Sequence, residues 1–146
     1  MKSIIPIILV LLLIQFVNAQ ELQSEKTGNL TVVITGLEND NGMVLLGLYN
    51  SRENYEGRGK AYRGEKDSIE NKQAVFIFDE LPFGEYAIKV YHDENSNGKL
   101  DKNFLGIPTE DYGFSNNASG TFGPADYDDA KFLFNKNKMT IGITIN

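Results

Sequence analysis

Apolar and polar residues alternate through most of this chain. In "NLTVVIT" (Asn29 to Thr35), Leu30, Val32 and Ile34 share one face, the two-residue period of a half-buried strand. "MVLLGLY" (Met43 to Tyr49) places Val44, Leu46 and Leu48 together. The intervening "GLENDNG" ends in Asn41-Gly42, a strong turn signal, so the two strands read as a hairpin. "QAVFIFD" (Gln73 to Asp79) sets Ala74, Phe76 and Phe78 against Val75 and Ile77. "EYAIKVYHD" (Glu85 to Asp93) sets Tyr86, Ile88 and Val90 against Ala87, Lys89 and Tyr91. Between them "ELPFG" reads as a tight turn, with Pro82 fixing φ and Gly84 supplying a positive φ. "AKFLFN" (Ala130 to Asn135) and "KMTIGITI" (Lys138 to Ile145) close the chain. Residues 50–72 show neither period and leave room for a short helix or an edge strand. No segment carries a sustained helical stripe, and there are no internal repeats. The pattern predicts an all-β domain: a single antiparallel β-sandwich of about seven strands, with a long ordered loop after the fifth.

That loop, from Asp93 to about Asp129, lacks strand patterning but is not a disordered linker. It holds Phe104, Leu105, Ile107, Tyr112, Phe114 and Phe122, and disordered segments are poor in such residues. It opens on "HDENSNGKLD" (His92 to Asp101). Counting from Asp93, oxygen-bearing side chains fall at positions one (Asp93), three (Asn95), five (Asn97) and nine (Asp101), with Gly98 at six. That is the spacing of the EF-hand Ca²⁺ loop, in which alternate side chains of a tight bend converge on a hard cation. The carbonyl of Lys99, at position seven, would add an oxygen. The match is incomplete: position twelve is Phe104 rather than a bidentate Glu, and a strand leads in where a helix would be. Asn103, Glu110, Asp111 or water would supply the remaining oxygens, and affinity would be weak, about 10⁻⁴–10⁻³ M. The competing reading is a metal-free chain of Asx-turns, since Asp and Asn side chains also bond nearby backbone amides.

Other chemistry is sparse. His92 is the single histidine and reads as a strand-end side chain. Glu110-Asp111 are adjacent, so on extended backbone they point apart; a hydrolase built on Glu110, Asp111 or His92 is the least favoured reading. Neither a nucleophile elbow nor a nucleotide-binding glycine fingerprint is present. No catalytic residue is assigned and the chain is read as non-enzymatic. The aromatic residues Tyr112, Phe114, Phe122 and Tyr127 read first as anchors of the loop. The sharper alternative is a contact surface for carbohydrate or peptide, which leaves a glycan or a protein as the candidate partner.

Charge and length narrow the setting. The chain has 146 residues, a net charge of −6 and no cysteine. Lys2 precedes an apolar run from Ile4 to Val17, which ends in Val17-Asn18-Ala19. The run resembles a secretory signal cleaved after Ala19 and is shorter than the roughly 20 residues of a membrane span. The expected organisation is a signal peptide over 1–19, a flexible mature N-terminus over 20–28 and the β-sandwich over 29–146. The expected location is periplasmic or secreted, with no embedding in a membrane. An acidic chain is a poor partner for nucleic acid and a fair one for cations.

The segment "LPFGEYAIKVYHDENSNGKLDKNFLGIPTEDYGFSNNA" resembles the bacterial domain-of-unknown-function family 2141. Three motifs carry the resemblance: Leu81, Pro82, Gly84, Tyr86 and Ala87; then His92 to Asp101; then Leu105 to Asn117. It extends over about Leu30 to Ile145 and implies a secreted or periplasmic bacterial protein, with no activity attached. The first motif is also similar to the L-P-x-G-x-Y of transthyretin-like domains, which implies an immunoglobulin- or prealbumin-like sandwich.

Overall fold

The computed structural model describes residues 25–57 and 59–146; the expected signal segment lies outside them. The alternating segments become strands: β1 (Thr27–Thr35), β2 (Met43–Tyr49), β3 (Arg63–Asp67), β4 (Ala74–Pro82), β5 (Gly84–Asp93), β6 (Tyr112–Phe114), β7 (Phe132–Phe134) and β8 (Lys138–Thr144). Two short helices, α1 (Arg52–Glu56) and α2 (Tyr127–Ala130), and a 3₁₀ turn at Ser115–Asn117 lie in the connections. One sheet has the order β4-β1-β8. The other runs β3-β2-β5-β6, and β7 pairs with β5. The protein is an all-β sandwich.

The inward faces are the ones the alternation marked. Leu30, Val32 and Ile34 of the first sheet and Val44, Leu46, Leu48, Ile88 and Val90 of the second are buried in one core, with Phe76, Phe78 and Phe134. Burial of such side chains is the main force holding two sheets face to face.

Three expectations need correction. β1 and β2 do not form a hairpin: β1 pairs with β4 and β8, and β2 with β3 and β5. The "GLENDNG" connection instead carries the chain across the core from one sheet to the other. Its Leu37 is buried and Gly36 has φ +88. Within the sandwich, β1 and β8 are parallel, Val32 lying opposite Ile141. Finally, the β4–β5 corner is not made by a positive φ at Gly84. The left-handed residue is Glu80, with φ 52. Asp79 and Glu80 are both exposed there, so the alternation is reset and Leu81 is again buried; an extra residue in a strand does this.

The corner is then locked by Tyr86, whose hydroxyl donates to the Pro82 carbonyl at 2.9 Å. Burial pushes the Tyr86 phenol up to about 12. The Leu-Pro-x-Gly-x-Tyr motif is therefore structural: an apolar anchor, a bend between sheets and a phenol that closes it.

Candidate functional site

β5 ends on two fully buried polar residues, His92 and Asp93. His92 Nε2 lies 2.7 Å from the Asn41 carbonyl oxygen and donates to it. Nδ1 has no hydrogen-bond partner and stands 3.8 Å from a Glu94 carboxylate oxygen. The β1–β2 connection is thus stitched to the start of the long loop. Gly42, with φ +68, makes the approach possible: a Cβ there would sit 2.0 Å from the Asp93 carbonyl oxygen.

From Asp93 the chain curls. Asp93 Oδ1 accepts from the Asn97 amide at 3.0 Å, and Oδ2 from the Gly98 amide at 2.7 Å. Gly98 takes the predicted bend with φ +77. Asn95 Oδ1 accepts from the Asn97 amide and Asn97 Oδ1 from the Lys99 amide. The two Asn side chains also turn toward Asp101: Asn95 Nδ2 donates to it at 2.6 Å, and Asn97 Nδ2 to both its oxygens at 3.0 Å. Alternate side chains therefore do converge, and they are bonded both to nearby amides and to one another.

Glu110 belongs to the same assembly. Its Oε1 accepts from the Glu94 amide at 3.1 Å and its Oε2 from the Asp101 amide at 2.8 Å. One carboxylate thus ties both ends of the bend. Asn103 is used otherwise: its Oδ1 accepts from the Leu105 and Ile107 amides, forming the tip of a small hairpin closed by a Lys102–Pro108 bridge. Among the described residues, Asp93, Asp101 and Glu110 have no basic side chain within ion-pair distance. Nor do any three His, Cys, Asp or Glu side chains there form a metal-binding group. The donor set is two loop carboxylates, two amide oxygens and the backbone. Adjacent Glu110 and Asp111 form no acid–base pair: Glu110 is taken up by backbone amides, and the Asp111 carbonyl accepts from the His92 amide.

The next motif segment is a set of staples. Ser115 is fully buried; its Oγ accepts from the Ile88 amide at 2.8 Å and donates to the Ala130 carbonyl. Asn116 Nδ2 donates to the Asp129 and Lys131 carbonyls, and Asn117 Oδ1 accepts from the Thr144 amide. Asn116 and Asn117 both have positive φ, 59 and 50, which Asn tolerates better than most residues. Ser115 has no signal in hydropathy; the quoted Ser-Asn-Asn run was its only trace.

The loop aromatics divide. Phe114 and Tyr127 are buried in a second apolar cluster with Tyr55, Ala87, Ala125 and Ala130, as anchors would be. Tyr112 is half-buried beside it, while Phe122 is wholly exposed.

The sequence model of a bacterial family, described as an uncharacterized protein conserved in bacteria (DUF2141), matches residues 32–142. The chain belongs to this family. No curated protein and no solved structure matches it. The matched span of this DUF2141 protein runs from mid-β1 into β8 and so includes both sheets, the 93–101 bend and the Ser-Asn-Asn staples. No helix among the described residues is long and apolar enough to cross a membrane.

Proposed function

We propose that this DUF2141 protein is an exported, non-enzymatic β-sandwich module whose 93–101 bend holds Ca²⁺ with low affinity. The observation that carries the reading is the convergence of the Asn95 and Asn97 side chains on Asp101, each within 3.0 Å of it, on a bend that the buried Asp93 carboxylate holds through the Asn97 and Gly98 amides. Each Asn Oδ1 accepts one amide hydrogen and keeps a second lone pair, which is free for a cation. A Ca²⁺ ion would take the place that the two Asn NH₂ groups now occupy against Asp101. Asp93, Asn95, Asn97 and Asp101 would supply side-chain oxygens, Lys99 its carbonyl, and Glu110 a further carboxylate. That no basic side chain among the described residues lies within ion-pair distance of these carboxylates also favours a cation. With few charges the expected affinity is about 10⁻⁴–10⁻³ M, enough to fill at millimolar calcium.

The ion would fasten the loop to β5 and act as a stabiliser rather than a reagent. At tenfold excess over Kd the gain is about 1.4 kcal/mol, or roughly 5 °C in a domain of this size. The test is a thermal melt in EDTA and then in excess Ca²⁺, with calorimetric titration beside it. Asp101→Asn removes the charge and should abolish the calcium-dependent shift. An unchanged melt and no binding heat in the unsubstituted protein would remove the calcium reading. Export is tested separately, by fractionating the cells and sequencing the mature N-terminus for cleavage after Ala19.

A further inference from the structure

The solvent-side face of the five-stranded sheet is hollow. In register across it lie Gly64 of β3, Gly47 of β2, Lys89 of β5 and Phe114 of β6. The next row on the same face is Lys66, Leu45, Tyr91 and Tyr112. The Tyr49 ring folds over Gly47, where a Cβ would stand 3.0 Å from its Cε2, while Gly64 leaves open floor beside it; Leu45, Tyr91 and Tyr112 stand in the next row. A Cβ placed on Gly64 would meet nothing within 4 Å. Gly106 and Pro108 from the long loop, with Pro124 from the segment before α2, complete a cavity of about 800 Å³ over this floor. That volume lies within the range of small-molecule sites.

Two features describe the occupant. The first is an apolar wall: Leu45, Leu100, Pro108, Tyr112 and Phe114 line the cavity. The second is charge. Lys66, Lys89 and Lys102 line the cavity against a single acid, Glu65, in a chain of net charge −6. None of the three lysines has a carboxylate within ion-pair distance among the described residues. Lys89 is half-buried. Its ammonium donates to the Tyr55 carbonyl and lies 4.3 Å from the Tyr55 ring centroid and 5.4 Å from that of Tyr49. Burial lowers its pKa, and the Glu56 charge offsets this only in part. Two of its three donors remain for a ligand.

We propose that this cavity binds a small amphiphilic carboxylate, with a ring or short acyl body over Gly64 beside the Tyr49 ring and its carboxylate against Lys89. Leu100 of the calcium bend lines the cavity but none of the proposed calcium ligands does, so either assignment can fail alone. The probes are 1-naphthaleneacetate and octanoate, with neutral 1-naphthaleneacetamide as the charge control. They are titrated by calorimetry and by amide NMR, in EDTA and in millimolar calcium. Both acids should bind and shift the amides of Gly47, Gly64 and Tyr112. The neutral amide, and the acids with Lys89→Gln, should bind about tenfold more weakly, as loss of one charge-assisted contact would give. Gly64→Leu grows a side chain into open space, so it should leave the melting temperature unchanged while cutting affinity about tenfold or more. Lack of binding by either acid at millimolar concentration in both buffers would overturn the proposal. So would full affinity in folded Gly64→Leu, or equal affinity for the neutral amide.

Discussion

Replacing Ser115 by Ala deletes one oxygen atom that serves two buried partners. The Ile88 amide loses its acceptor and the Ala130 carbonyl loses its donor, and both residues are fully buried. An unsatisfied buried polar group costs about 1–3 kcal/mol, so two together come to about 3 kcal/mol if a water molecule partly repairs one of them. That is a large share of the 5–15 kcal/mol typical of a whole domain. With a urea m-value of about 1.5 kcal/mol/M, the midpoint should fall by about 2 M. The slope itself should not change, because the surface exposed on unfolding is the same. Amide exchange supplies the local readout: the Ile88 amide should lose protection in Ser115→Ala by more than its β5 neighbour Val90. A midpoint shift equivalent to less than about 0.5 kcal/mol would contradict the assignment, since ordinary surface substitutions give as much. Unaltered exchange at Ile88 would contradict it as well.

Three further outcomes are expected. Tyr86→Phe removes the bond to the Pro82 carbonyl and should cost about 1 kcal/mol in urea unfolding; no loss would mean that packing alone holds the corner. The protein should also be sensitive to alkali. Burial raises the phenols of Tyr86 and Tyr55, so the folded state keeps protons that the unfolded chain releases near pH ~10. Stability is therefore complete below about pH 10 and declines as pH rises toward 12, seen as falling urea midpoints with a late rise in tyrosinate absorbance; constant midpoints up to about pH 11.5 would refute it. Gly42→Ala meets both a positive φ and the Asp93 carbonyl, and should cost about 2 kcal/mol by thermal melt; a neutral result would show that the β1–β2 connection moves aside freely.

Strands were legible wherever one face meets the core, because a two-residue period is the imprint of that geometry. β1, β2, β4, β5 and β8 carry it over seven residues or more. β6 and β7 have three residues each, too few for a period, and β6 in particular went unmarked. Pairing was harder. An amphipathic strand shows which side is apolar, but not whether its neighbour lies beside it or faces it across the interior. β1 and β2 satisfy the same alternation from opposite sheets, and the Asn-Gly turn signal misled because seven residues of connection suffice to change sheets. At the loop, the spacing of Asp93, Asn95, Asn97, Gly98 and Asp101 did foretell a tight bend with converging side chains, although the two Asn turn their amide nitrogens rather than their oxygens toward Asp101. The tie through Glu110 and the staples at Ser115 and Asn117 depend on contacts distant along the chain, and no local pattern encodes those. The hollow over Gly64 was invisible for the same reason: only cross-strand register sets Gly47 and Lys89 in its row.

The parallel pairing of β8 with β1 has a consequence for how the molecule is made. β1 occupies the centre of its sheet, yet one of its two partners follows every other described strand in the sequence. Until Lys138–Thr144 arrives, the middle strand offers an unpaired hydrogen-bonding edge, and such edges recruit other chains. A nascent chain of this protein therefore stays open to mispairing until β8 has left the ribosome, and a product cut short before Lys138 should aggregate rather than give a smaller folded domain.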